Sequence, residues 1–205
     1  MWGKYFEKIY KKFIKNLLGR IKCFRFSIAK YGRRIYIGHN SKIVNGKFLK
    51  IDDDVSIMPY NMIVVHKNGK IVLESGCEIG MFSRVAAKNL VQIGKNVITG
   101  PNVFIADYNH EYRNIDKAIK SQGSNYKQKS NEINKVIIKE DCWIGTNVVI
   151  VGNVTIGKHC VIGANSVVNS NIPDYCVAVG NPAKVVKKYN FDKEEWEKTS
   201  WIKKI

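Results

Sequence analysis

The stretch Ile144-Gly145-Thr146-Asn147-Val148-Val149-Ile150-Val151-Gly152-Asn153-Val154-Thr155-Ile156-Gly157-Lys158-His159-Cys160-Val161-Ile162-Gly163-Ala164-Asn165-Ser166-Val167-Val168 returns an aliphatic residue at every sixth position: Ile144, Ile150, Ile156, Ile162 and Val168. A period of six fits a short strand and a turn, repeated, with the aliphatic side chain inside and a small residue where the backbone corners. The same period extends upstream through Leu73, Ile79, Val85 and Val91, through Ile51, Ile57 and Ile63, and through Ile37, Ile43 and Leu49. Glycine follows the aliphatic residue in Ile79-Gly80, Ile93-Gly94, Ile144-Gly145, Ile156-Gly157 and Ile162-Gly163. The expected fold is all-β, a parallel β-helix of hexapeptide repeats in which each turn buries its own interior. Small residues ahead of the repeat position, such as Cys77, Ser83, Cys160 and Ser166, are expected to face inward.

Composition agrees with this. Among the 205 residues there are 27 Ile and 21 Val against 5 Leu, a balance that favours pleated strands over packed helices and excludes a helical bundle. With 45% apolar residues a disordered chain is excluded as well. Five cysteines, none in a C-x-x-C pair, suggest neither a disulfide framework nor a zinc site. The formal net charge is +17, and residues 1–34 carry eleven Lys/Arg against the single Glu7. Basicity so localised points to a surface partner and argues against nucleic acid, which calls for a broadly basic fold. No apolar run approaches bilayer-spanning length, and the N-terminal lysines are too frequent for a secretory h-region, so a cytoplasmic location is expected.

Three segments depart from the period. Residues 1–34 form a basic N-terminal segment, within which residues 1–20 alternate aromatic and aliphatic residues with lysines at helical spacing, with Gly19 as a stop. Such an amphipathic helix suits either a cap over the open end of the β-helix or a peripheral contact with the inner face of a membrane. Residues 107–135 are polar and lysine-bearing and read as a long inserted loop, a candidate lid or acceptor-binding element within a repeat domain spanning 35–188. In the tail, 189–205, Asp192-Lys193-Glu194-Glu195 resembles a capping box before a short helix, with an extended tail as the alternative.

Of the four histidines, His39, His66 and His159 sit at or before turns and read as solvated turn residues. His110, in Asp107-Tyr108-Asn109-His110-Glu111-Tyr112, stands where the repeat breaks into the loop. An imidazole titrates near neutrality and is suited to taking a proton from a hydroxyl. There is no G-x-S-x-G elbow for a serine nucleophile and no H-E-x-x-H spacing for zinc, so neither a covalent route nor a metal is expected.

Three stretches resemble the hexapeptide-repeat acyltransferases, in particular those that O-acetylate sugars and capsular polysaccharides: Gly100-Pro101-Asn102-Val103-Phe104-Ile105 leading to His110, then Asp141-Cys142-Trp143-Ile144-Gly145, then Ala178-Val179-Gly180-Asn181-Pro182-Ala183-Lys184-Val185. The resemblance implies a left-handed helix, a homotrimer, and acetyl-CoA as co-substrate in a cleft between subunits, with a sugar or glycan as acceptor. It further implies that His110, eight residues after Asn102, is the general base and that Trp143 packs on the pantetheine arm. Gly145, Thr146, Gly163 and Ala164 would lie along that arm, and Lys184 and Lys187 would face the CoA phosphates. Tyr108 replaces the first histidine of the relatives' Asp-His-Asn-His, and Asp107 is a candidate to orient the imidazole or to cap a turn. An N-acetyltransferase for amino sugars or antibiotics, and a non-catalytic trimeric scaffold, are the alternatives.

Overall fold

The computed structural model describes residue 14, residues 17–123 and residues 133–199. The hexapeptides wind into a left-handed parallel β-helix of about seven turns with one N-terminal helix. Each turn gives one short strand to each of three sheets. The first sheet stacks Lys30–Tyr31, Leu49–Ile51, Lys70–Leu73, Leu90–Ile93, Lys135–Ile138 and Val154–Ile156. The third stacks Lys42–Val44, Met62–Val65, Arg84–Ala87, Phe104–Ala106, Val149–Val151 and Val167–Val168. The second begins with Tyr36–Ile37 and Ser56–Ile57, and continues through Glu78–Ile79, Ile98–Thr99, Trp143–Ile144 and Val161–Ile162 to Cys176–Val179. It is extended by Lys184–Asn190 and Glu195–Lys198, which pair antiparallel.

The period-six residues stack in register along the axis. Ile57 lies beside Ile37 and Ile79, and Ile144 beside Ile162. All of these are at most 1% exposed, as are Ile51, Leu73 and Ile93 on the first sheet and Ile63, Val85 and Ile105 on the third. Each such side chain contributes roughly 1.5–3 kcal/mol relative to exposure, so the repeat supplies its own core turn by turn. Cys77, Ser83, Cys160 and Ser166 are buried, as their positions suggest. The Cys142 and Cys160 thiols donate to the carbonyls of Gly157 and Pro173 at 2.9 and 3.0 Å. Burial pushes the Cys77 thiol up to about 12, so it is a protonated packing group.

Two of the three corners are nearly identical from turn to turn. Between the first and second sheets, Arg34, Asp54, Asn96, Asp141, His159 and Tyr175 take φ between 53 and 62°. Between the second and third, Asn40, Tyr60, Phe82, Asn102, Asn147 and Asn165 do the same, with φ between 54 and 63°. Asn and Asp tolerate the left-handed region, and no β-branched residue occupies either set. The third corner has no such uniformity. Its turns differ in length, and one of them expands into the inserted loop, of which residues 107–123 and 133–134 are described.

Gly19 does not stop the helix, which runs on through residues 17–25. A Cβ at Gly19 would stand 2.0 Å from the Ile35 carbonyl oxygen, so glycine serves close approach to the first turn. The helix ends instead at Ser27 (φ 54°), with Ile28 N–H donating to the Cys23 carbonyl. Cys23 joins the core and Lys22 Nζ donates to the Ile37 carbonyl, so this part of the segment sits over the open end. Most of residues 1–20, on which the membrane reading rests, lies outside the described residues. The tail is a hairpin and not a helix as far as residue 199. Asn190 Oδ1 accepts from the Asp192 and Lys193 amides, and Glu194 is left-handed (φ 52°), which turns the chain back on itself.

Candidate functional site

The candidate residues fall in two places. The first is a band on the second sheet and its edge. Trp143 projects outward, 55% exposed, and is followed across the strands by Val161, Val177 and Lys187. Three strand steps of about 4.8 Å separate the indole from Lys187, roughly 14 Å. Both line one groove, with His159, Val161 and Trp196. Gly145, Thr146, Gly163 and Ala164 form the neighbouring corner. A Cβ on Gly145 would come within 2.6 Å of the Ala164 nitrogen, and one on Gly163 within 2.6 Å of Val179. Their amides already donate to the carbonyls of Ile162 and Ala178, at 2.8 and 2.9 Å. These glycines are therefore required by the stacking of one turn on the next, Gly145 being buried, and their amides offer no free donor. Lys184, opposite Val179 on the hairpin, closes the band.

The second place is the irregular corner, past the end of the strand Phe104–Ala106. Asp107 is fully buried there. Its carboxylate accepts from the backbone amides of Lys88, Asn89 and Leu90 at 2.8, 2.7 and 2.7 Å. That is the turn-capping alternative, made across to the turn below. Among the described residues it makes no bond to His110. His110 itself is exposed, with no hydrogen-bonding partner among the described residues. Next to it, Glu111 is gripped by Arg113, with Oε2–Nη2 at 2.6 Å. The hydrogen bonds from the Arg113 side chain and amide hold this carboxyl at about 2. The carboxylate is thus charged but already engaged, and leaves the imidazole beside it unclaimed.

Two residues were missed from sequence. His66, a turn residue by its spacing, is half-buried with Nε2 3.2 Å from the Tyr108 hydroxyl and its ring set edge-on at 5.1 Å. The residue filling the relatives' first histidine position is therefore tied to a histidine from another turn. Only stacking brings positions 42 residues apart together, and no local signal announces it. Trp196 was missed as well, because the tail read as helix or coil and its return onto the second sheet was not visible.

Within the chain the two places lie on opposite sides of the third sheet. The Pro101-Asn102 turn stacks on Thr146-Asn147 at one edge, where the Asn147 amide donates to the Pro101 carbonyl. From Asn102 to Tyr108 the chain crosses the whole face, a distance of roughly 20 Å at about 3.3 Å per residue.

Residues 135–170 match the bacterial transferase hexapeptide family, described by six repeats. The provisionally assigned lipopolysaccharide biosynthesis O-acetyl transferase WbbJ of Escherichia coli K12 is 33% identical over 130 residues, 63% of this chain and 66% of that one. The chain belongs to the hexapeptide-repeat transferases. The galactoside O-acetyltransferase of Lactococcus lactis is 38% identical over 98 residues, or 48% of this family member and 43% of the relative. The matched stretch thus spans about two thirds of the first relative and less than half of the second. Among solved structures, AntD, an N-acyltransferase from Bacillus cereus with dTDP and 3-hydroxybutyryl-CoA, superposes with a TM-score of 0.69 at 17% identity. That match covers 85% of this hexapeptide chain and 90% of AntD. A hexapeptide acetyltransferase of Vibrio cholerae complexed with acetyl coenzyme A gives a TM-score of 0.53 at 21% identity, covering 80% and 73%. At these identities the likeness is one of fold.

Among the described residues no group of His, Cys, Asp and Glu could hold a metal ion, and no helix is long and apolar enough to cross a membrane.

Proposed function

We propose that the protein is an acetyl-CoA-dependent O-acetyltransferase acting on a hydroxyl of a sugar or glycan. The observation that carries this reading is the pairing of an exposed, unclaimed His110 at an insertion corner with an exposed Trp143 in a side-chain-poor band ending in lysines. The Trp143 indole offers an apolar wall to a pantetheine arm, the glycine corner lets the arm approach the backbone, and Lys184 and Lys187 supply point charges for phosphates.

In the proposed reaction His110 takes the proton of an acceptor hydroxyl as its oxygen attacks the thioester carbonyl. The tetrahedral intermediate collapses, the carbon–sulfur bond breaks, and the imidazolium returns its proton to the leaving thiolate. Products are the acetyl ester and free CoA, with no acyl-enzyme. A backbone N–H at the cleft holds the oxyanion. Asp107 supports the corner, keeping the base-bearing segment in register.

The corner that bears His110 and the band that bears Trp143 lie on opposite sides of the third sheet, so a single cleft containing both takes one side from each of two copies. This supports a homotrimer with the site at each subunit junction. The use of acetyl-CoA in this reading supports a cytoplasmic reaction.

The test is a thiol-release assay with acetyl-CoA and a panel of neutral and acidic oligosaccharides, followed by hydroxylamine treatment of the product. A hydroxylamine-labile acetyl group is expected. A stable one makes the product an amide and favours an amino-sugar or antibiotic acceptor, and failure of the folded protein to bind CoA leaves the scaffold reading.

A further inference from the structure

Beside the corner from which His110 emerges, the outer edge of the first sheet carries a column of side chains that the proposed reaction does not use. Leu90 lies between Lys70 and Lys135 in strand register, Lys135 N–H donates to Asn153 Oδ1, and Phe48 precedes the strand residue paired with the one after Lys70. The column therefore reads Phe48, Lys70, Leu90, Lys135, Asn153 along the helix axis. It alternates apolar and cationic groups and ends in an amide. Asn68 and Asn89 flank it from the corner turn, and together these residues line two adjoining grooves that share Lys70.

Among the described residues neither groove is lined by an Asp or Glu, Lys70 and Lys135 have no carboxylate within ion-pair distance, and Lys30, Lys47 and Lys50 add to the positive charge of the second groove. Lys70 and Lys135 lie two turns apart, which sets their Cα atoms about 10 Å apart from two steps of about 4.8 Å. That is comparable with the length of two linked pyranose rings. Leu90 and the exposed Ile133 present apolar surface of the kind that packs on the hydrophobic face of a sugar ring, while Phe48 packs on the core beneath the Lys47 ammonium. The asparagine amides donate and accept, as hydroxyls require.

We propose that this column is the subsite for the acceptor chain and that the acceptor is an acidic glycan lying along the β-helix axis, its anionic groups on Lys70 and Lys135. The proposal rests on the reading of the protein as a glycan O-acetyltransferase and adds the substrate class. The groove's recessed, amide-lined shape suits a chain better than a bilayer.

The test is calorimetric titration of the full chain at low ionic strength, where exposed charges are least screened. The probes are hexagalacturonate and maltohexaose, with acetyl-CoA titrated into the same preparations. Wild type is expected to bind hexagalacturonate at least about tenfold more tightly than maltohexaose, and K70Q/K135Q to lose about tenfold for the acidic probe with its acetyl-CoA affinity unchanged. A charge-reversed pair, K70E/K135E, should lose acidic-probe binding altogether. Equal binding of the two oligosaccharides, no binding of hexagalacturonate, or unchanged affinity in both variants overturns the proposal. So does the finding that the substitutions instead weaken binding to phosphatidylglycerol vesicles or a DNA duplex. Loss of acetyl-CoA binding by wild type overturns the transferase reading and leaves the oligosaccharide result standing.

Discussion

The band around Trp143 and the corner around His110 are made from the same repeat, yet differ in construction. In the band every turn is superposable on the next. Gly145 and Gly163 occupy equivalent places, their amides serve the ladder, and Trp143, Val161 and Val177 stand in line. At the corner no two turns are alike. Asp107 reaches across to three amides of another turn, and Tyr108 finds His66. Regular stacking yields a long even surface, suited to an extended arm common to all acetyl-CoA reactions. Irregular stacking yields a singular constellation, suited to a reaction centre. Substitutions on the two sides should accordingly separate chemistry, folding and co-substrate binding.

The largest effect is expected at His110. His110→Ala should lower kcat about a hundredfold or more with little change in KM for acetyl-CoA, the loss typical of removing a general base. Steady-state kinetics on the folded variant check this, and a kcat within a few-fold of wild type would move the reaction centre elsewhere.

Asp107→Ala should come next, and should act on stability. Three backbone amides lose a charged acceptor in a buried place, which costs on the order of 2–4 kcal/mol by denaturant titration. Asp107→Asn should recover part of that loss. If Asp107→Asn instead folds with full stability and shifts the pH–rate profile, the carboxylate orients the imidazole during turnover.

Trp143→Ala should raise KM for acetyl-CoA by about tenfold at nearly constant kcat, because an aromatic wall contributes binding before chemistry. An unchanged KM would make the indole a packing group only.

The smallest effect is expected for Tyr108→Phe, which keeps the ring and its edge contact with His66 and removes one half-buried hydrogen bond. A change of a few-fold in kcat is anticipated. Abolished transfer here, with activity kept in His110→Ala, would exchange the roles of the two residues.

The regular half of the molecule was the legible half. Ile144, Ile150, Ile156 and Ile162 declare the period, the period declares the stacking, and the stacking lines up Trp143 with Lys187 once the tail is known to return. The irregular half was legible only as a place. The break at residue 107 marked where to look, but the bonds that organise it join Asp107 to residues 88–90 and Tyr108 to His66, across turns whose relative register depends on every residue between. Gly19 misled because glycine ends helices often, whereas here it admits the Ile35 carbonyl, a tertiary contact invisible in a local pattern. The tail misled because Asp192-Lys193-Glu194-Glu195 suits a helix start and a hairpin turn about equally, and pairing with Lys184–Asn190 decided between them.

The inequality of the three corners also governs how such a chain can change over time. At the two left-handed corners an inserted residue would shift every inward side chain of the following strand to the outside, so chain length is fixed there to the single residue. At the third corner the strand Lys135–Ile138 rejoins the sheet beside Leu90–Ile93 in full register after a long excursion. Length is free at that one vertex. New sequence can therefore enter beside the candidate base without disturbing a turn of the core, and a β-helix of this kind can vary at one vertex while the regular wall of the second sheet stays as it is.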